Sequence, residues 1–138
     1  MAQACRAHGR PAADTVSVMD GLETLRSVVV LVHLSGFAVL FGSWAVEVYN
    51  RRVQVTPLMN IGLAIAGIAG LVLAAPWGID YDLNYAKIGT KLVVLLIIGA
   101  LIGIGSARQR KTGSLPPAMF WSIGILTLLN AGIALIWR

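Results

Sequence analysis

The sequence predicts an all-α, polytopic membrane protein: a four-transmembrane-helix bundle with its N- and C-termini outside. Of the 138 residues, 57% are hydrophobic and only 12% are charged, whereas about a quarter of a soluble domain is charged. Four apolar stretches each reach the roughly 20 residues that cross a bilayer. Because backbone polar groups in hydrocarbon need internal partners, these stretches are predicted to be helices.

Polar or proline-containing segments separate the four predicted spans. "YNRRVQVTP" follows the first span, "PWGIDYDLN" the second and "ARQRKTGSLPP" the third. Pro57 and Pro117 are expected in the first turns of their helices, where a proline removes no helical hydrogen bond. The predicted spans are residues 27–48, 55–77, 86–106 and 117–137, within a transmembrane domain of residues 27–138.

Charged residues in the loops predict the orientation. The first and third loops are basic and lie on the same side, which the positive-inside rule makes cytoplasmic. The acidic middle loop and both termini then face out, as in a multi-pass protein of the cell (plasma or inner) membrane. The residues concerned are Arg51, Arg52, Arg108, Arg110 and Lys111 inside and Asp80 and Asp82 outside, with Trp44 and Trp121 at the inner interface and Trp77 and Trp137 at the outer one.

Residues 1–26 are predicted to be a disordered N-terminal tail and lead-in. The first eighteen residues have no apolar core of the kind a signal peptide needs, and translation from Met1 or from Met19 would leave the spans unchanged. Cys5 and His8 could hold a metal ion, but two ligands on a flexible tail make a poor site. The net charge of +5 comes from basic residues between apolar segments, so no nucleic-acid partner is predicted.

Small residues recur at the spacing that packs helices in lipid. "GLAIAGIAG" places Gly62, Ala66 and Gly70 on one face of the second span, and Gly99 and Gly103 share a face of the third. Such spacing lets two helix backbones approach closely. The pattern is compatible with tight packing inside one bundle or with a dimer seam. Besides the lipid bilayer, the possible partners are therefore a second copy, as a homodimer, or a larger membrane complex.

Polar residues inside the spans are the candidate site. His33, Lys91 and Asn130 each lie six or seven residues from the outer end of a span, a depth of about 9–10 Å at 1.5 Å per residue. Intramembrane polar residues are often functional. In the functional interpretation, His33 ligates a haem iron or a metal ion in an outward-facing pocket, and Lys91 pairs with an anionic group such as a propionate.

A purely structural interpretation of the same residues stays open. A lysine near a helix end can extend to the headgroups, and intramembrane histidine and asparagine often only join helices. Glu47, near the inner end of the first span, is expected to pair with Arg51 four residues later. Asn60 has no partner that the sequence identifies.

Two segments resemble the CopD/HemJ-like group of small membrane proteins. "VHLSGFAVLFGSWAVEVYNRR" looks like the first helix of that group, and "YAKIGTKLVVLLIIGALIGIG" is similar to a later helix with a lysine before apolar residues. The resemblance maps the group's histidine onto His33 and its lysine onto Lys91. It implies haem b binding and porphyrinogen oxidation for a HemJ-like protein, or copper handling for a CopD-like one.

Three functions are compatible with these observations. A non-catalytic accessory or assembly subunit of a membrane complex is the first, and a haem- or metal-binding redox protein using His33 and Lys91 is the alternative. A transporter is the third, although no acidic relay or broken helix is evident. HExxH, GxSxG and Walker motifs are absent from the sequence, so no enzymatic activity is assigned.

Overall fold

The fold is an all-α four-helix bundle, as the sequence predicts. The computed structural model describes residues 10–76 and 85–136, with side chains from residue 14 onward. Its helices are α1 (Arg10–Tyr49), α2 (Pro57–Ala74), α3 (Tyr85–Thr112) and α4 (Pro117–Ile136). All four are long and apolar enough to cross a membrane, and the protein is a small multi-pass membrane protein.

The helix ends follow from local sequence chemistry. Thr56 caps α2, accepting a hydrogen bond from Met59 N, and Pro57 occupies the first turn. Pro76 stands just after the end of α2, where a proline cannot extend the helix. Pro117 likewise begins α4. Both predictions for proline in the first helical turn are therefore confirmed.

The third helix runs six residues past its predicted end at residue 106. Residues 107–112 contain no glycine or proline that would end the helix. Gly113 then takes a left-handed conformation (φ 72°), and its N–H donates to Gln109 O. That is the glycine-terminated end common to many helices. Arg110 and Lys111 lie in the last turn, where positive charge stabilises the helix dipole.

The first helix begins at Arg10, so the predicted tail is helical from that residue on. The prediction is wrong over residues 10–26 because those residues hold no helix-breaking proline beyond the first turn, and extending an existing helix costs far less than nucleating one. Residues 14–26 are almost all exposed. Residues 1–9, with Cys5 and His8, lie outside the described residues, as do Trp77, Asp80, Asp82 and Trp137.

The helices pack in chain order around the bundle. α1 contacts α2 and α4, and α3 contacts the same two helices, so α1 and α3 stand diagonally across the described part of the bundle. The α1–α2 interface is the most extensive. Any site shared by His33 of α1 and Lys91 of α3 must therefore span the bundle interior.

Small residues bring α1 and α2 into close contact. A Cβ added to Gly36 would stand 2.5 Å from Ala66 N, and one added to Gly62 would stand 2.5 Å from Leu40 N. Gly103, by contrast, has open space where a Cβ would be. The predicted face of α2 thus packs inside the chain. On the predicted face of α3, a Cβ added to Gly99 would contact Leu63 of α2 at 3.7 Å, whereas the position of Gly103 is open.

The apolar core lies toward one end of the bundle. We call this the basic end, because it contains the loops 50–56 and 113–116 with Arg51 and Arg52; the other is the opposite end. The lipid-facing sides of all four helices expose large apolar residues, as expected in a bilayer. The buried cluster consists of Leu40, Val55, Met59, Ile98, Ile102, Leu115, Phe120 and Ile123.

Aromatic residues join α1 to α4 near the basic end. Trp44 stacks with Phe120 at 5.8 Å between ring centroids and donates from Nε1 to Phe120 O at 3.0 Å. Its ring lies so close to Gly124 that no side chain fits there. Trp44 is therefore half-buried between helices, whereas Trp121 is 47% exposed.

Candidate functional site

The three predicted site residues continue the buried faces of their helices toward the opposite end. His33 lies one heptad before buried Leu40 in α1, and Lys91 lies one heptad before buried Ile98 in α3. Asn130 follows the buried face of α4, which includes Phe120, Ile123, Gly124 and Thr127. All three are half-buried. The heptad spacing therefore directs them to the interior side of the bundle.

His33 is held by α2. Its Nδ1 lies 2.7 Å from Ala66 O, and because a carbonyl oxygen only accepts, Nδ1 must carry the proton. In the tautomer that has its only ring proton on Nδ1, the lone pair is on Nε2, which makes no hydrogen bond within the described residues. The ring packs over Gly70, where an added Cβ would stand 3.2 Å from His33 Cε1.

Lys91 lies close in height to His33. Gly67 of α2 packs beside Leu95 of α3. Lys91 lies one turn before Leu95, and α2 runs antiparallel to α3. Lys91 is therefore level with the turn of α2 that follows Gly67. His33 packs at Gly70, in that same turn. No hydrogen bond or ion pair joins Lys91 to His33 among the described residues.

Asn130 lies at nearly the same height and has an unsatisfied acceptor. Gly105 of α3 packs beside Met119 of α4, and this antiparallel register sets Asn130 within one turn of the level of Lys91. Asn130 Oδ1 is the one buried side-chain polar atom without a hydrogen bond among the described residues. Leaving such an atom unpaired costs about 1–3 kcal/mol. A donor from a water or a ligand would satisfy it.

Glu47 is a buried carboxylate whose predicted pairing with Arg51 is wrong. It is 8% exposed, and its Oε2 accepts a hydrogen bond from Gln54 Nε2 at 2.8 Å. The expected ion pair with Arg51 does not form among the described residues. α1 ends at Tyr49, Arg51 is left-handed (φ 56°), and Arg52 N donates to Glu47 O. Because Arg51 is outside the helix, the i,i+4 geometry is lost.

Two polar side chains, Gln109 of α3 and Asn60 of α2, join α3 to the loop before α2 and to α2 itself at the basic end. Gln109 accepts from Val55 N at 2.8 Å and donates to Val55 O at 3.3 Å. Asn60 Nδ2 donates to Ser106 Oγ at 3.4 Å, which supplies the partner that the sequence left unidentified. Gln109 lies beyond the predicted third span, so hydropathy alone does not predict its contact with Val55.

The site chemistry centres on one nitrogen ligand. Within residues 14–76 and 85–136, no three His, Cys, Asp or Glu side chains come together as a metal cluster. His33 Nε2 is the available donor, with the Lys91 cation and the Asn130 oxygen at similar height. These three residues offer one imidazole nitrogen, one amine and one amide oxygen, and they do not assemble an acid–base pair.

Comparison with known proteins adds no relative. No family model, curated protein or solved structure matches this chain. Its classification accordingly rests on the four apolar helices, and it is a small multi-pass membrane protein with a bundle fold.

Proposed function

We propose that the protein binds haem b in the membrane, with His33 as an axial ligand of the iron. The supporting observation is the hydrogen bond from His33 Nδ1 to Ala66 O, which fixes the tautomer and leaves the Nε2 lone pair free. A backbone carbonyl accepting the distal N–H is the usual arrangement behind a metal-ligating histidine. The resemblance to the CopD/HemJ-like group supports the same role.

The residues present fit a haem with one ligand from this chain. The apolar helices provide a water-poor environment, and Lys91 provides a cation for a propionate. His33 is the sole histidine in residues 10–76 and 85–136, so any further protein ligand of the iron would be His33 of a second copy, or Lys91 in place of its role toward a propionate. A bound haem would supply one-electron redox chemistry; His33 and Lys91 would hold and orient it.

An absorbance spectrum tests the proposal. The detergent-purified protein, expressed with haem supply, is measured oxidised and after dithionite reduction. We expect a Soret band that is lost in His33→Ala, because removal of the imidazole removes the axial ligand. Metal content of the same samples separates haem from a bare metal ion. A colourless wild type with its normal helical content would contradict haem binding.

A pair of glycine variants provides the control. In Gly70→Ala the new methyl group would stand 3.2 Å from the His33 ring, whereas in Gly67→Ala it would be 3.8 Å from its nearest neighbour, Leu95. Both add the same methyl group to one helix. The haem spectrum should change in Gly70→Ala and stay unchanged in Gly67→Ala. Equal spectra in the two variants would show that the position of the His33 ring does not affect the haem spectrum.

An accessory or assembly subunit of a plasma-membrane complex is the second candidate. It is favoured by the structural use of the polar groups, in which His33 and Asn60 each bind a neighbouring helix and Gln109 binds the loop before α2. Native electrophoresis of mildly solubilised membranes tests it. A tagged copy that migrates far above the size of a monomer or dimer, with His33→Ala migrating identically, would support this role over haem binding.

A further inference from the structure

A groove along α1 contains the one buried carboxylate of the described chain, Glu47. The groove has a volume of about 400 Å³, within the usual range for small-molecule sites. It opens sideways on the bundle surface, where Ala38, Val46 and Leu58 are exposed. Its lining includes Gly42 and is mainly apolar; besides Glu47, its polar side chains are the hydroxyl groups of Ser43 and Thr56.

The groove has the length and direction of a lipid tail. From Ala38 to Glu47 it follows α1 for about 14 Å at 1.5 Å per residue, close to one leaflet of a hydrocarbon core about 30 Å thick. Glu47 stands at the end that reaches the loop, and Ala38 stands near mid-membrane. An acyl chain lying along the groove would therefore carry its headgroup to Glu47.

The charges at the headgroup end are arranged for a zwitterion. Glu47 Oε1 accepts no hydrogen bond and faces no cation among the described residues, because Gln54 binds only Oε2. Just beyond it, Arg51 and Arg52 are exposed and form no ion pair among the described residues. A carboxylate at the groove's end can accept from a primary ammonium, and the adjacent guanidinium groups can bind a phosphate.

We propose that this groove binds a phospholipid with a primary ammonium headgroup, such as phosphatidylethanolamine. One acyl chain lies along α1 and the phosphate contacts Arg51 and Arg52. The ethanolamine arm beyond the phosphate turns back toward the groove, so that its ammonium donates to Glu47. A trimethylammonium headgroup has no N–H to donate, so a phosphatidylcholine of the same acyl chains binds more weakly.

Native mass spectrometry of the full chain released from mixed-lipid micelles tests the site. Phosphatidylethanolamine and phosphatidylcholine with identical acyl chains are supplied in equal amounts. We expect the wild type to retain the ethanolamine lipid about tenfold better, the scale of one charge-assisted hydrogen bond. Glu47→Gln should bring the ratio close to one. Glu23→Gln, the same change at an exposed position of α1, should leave the ratio unchanged.

Two further variants separate the headgroup from the groove. The double variant Arg51→Gln, Arg52→Gln should lower retention of both lipids and keep their ratio. Gly42→Leu should fill the groove and lower retention of both, whereas Gly103→Leu, on the open face of α3, should not; both glycines have open space for a side chain.

Three results would overturn the assignment. The first is a lipid ratio that is the same in wild type and Glu47→Gln. The second is full retention in the double arginine variant, which would point to a simple amine without a phosphate. The third is a loss of dimer rather than of lipid in Gly42→Leu, which would make the groove a seam for a second copy.

Discussion

At the scale of single residues, the position of His33 has two separable causes. Its depth in the membrane follows from its distance, in residues, from the end of the apolar run, and this distance can be read from the sequence. Its hydrogen-bond partner follows from the register of α2, because Ala66 O lies opposite His33 only when Gly36 packs on Ala66. The sequence therefore predicts the height of the imidazole, while its tautomer depends on a packing register that composition does not encode.

His33, Lys91 and Asn130 form what we call the polar layer. Asn130 provides a test of whether this layer binds a ligand. Asn130→Leu removes a buried acceptor that has no partner, so without ligand the variant should be more stable by about 1 kcal/mol. Thr127→Val is the matched control, since buried Thr127 already donates to Ile123 O and its replacement should be neutral or slightly destabilising. Thermal melts in detergent measure both. A destabilised Asn130→Leu would mean that the amide is satisfied by water or another group.

At the scale of helices, the α1–α2 interface should be the most sensitive to added volume. Gly36→Ala places a methyl group 2.5 Å from the backbone of Ala66, and backbone cannot move aside as a side chain can. We expect a loss of about 1–3 kcal/mol in the free energy of unfolding, the usual cost of overpacking. Denaturant titration in mixed micelles measures the change.

Gly42→Ala is the control on the same helix. Its added methyl group meets nothing within 4 Å, so it should leave stability unchanged or raise it through the better helix propensity of alanine. Equal destabilisation of Gly36→Ala and Gly42→Ala would show that helix propensity, rather than contact with α2, decides the outcome.

The helices also show how far the sequence predicts this fold. Apolar length and proline position gave four spans, and the observed starts of α2, α3 and α4 lie within two residues of the predicted ones. The start of α1 was missed because hydropathy detects membrane-crossing segments, whereas residues 10–26 continue the helix without being part of an apolar run. The Arg51 turn was missed for a different reason: a left-handed arginine gives no compositional signal, unlike Gly113.

At the scale of the whole molecule, the positions of the core and of the polar residues divide the bundle into two unlike halves. The buried apolar cluster and the Trp44 contact stabilise the half toward the basic end. His33, Lys91 and Asn130 occupy the other half, which has fewer buried side chains. We therefore expect the packing of the basic half to keep the fold intact when residues of the polar layer are substituted. The His33 and Asn130 experiments require variants that still fold.

The orientation of these halves in the membrane is the remaining prediction. Basic residues in the first loop (Arg51, Arg52) and near the end of α3 (Arg108, Arg110, Lys111) predict that this end is cytoplasmic. His33 and Lys91 would then lie in the outer leaflet and the Glu47 groove in the inner one. Alkaline phosphatase fused after Arg138 should be active and a fluorescent protein fused there should be dark. Replacing the basic residues at this end with neutral ones should weaken the preference for a cytoplasmic basic end. An inverted pattern for the unaltered chain would place the His33 layer toward the cytoplasm, where haem and a cytosolic reductant would reach it from inside.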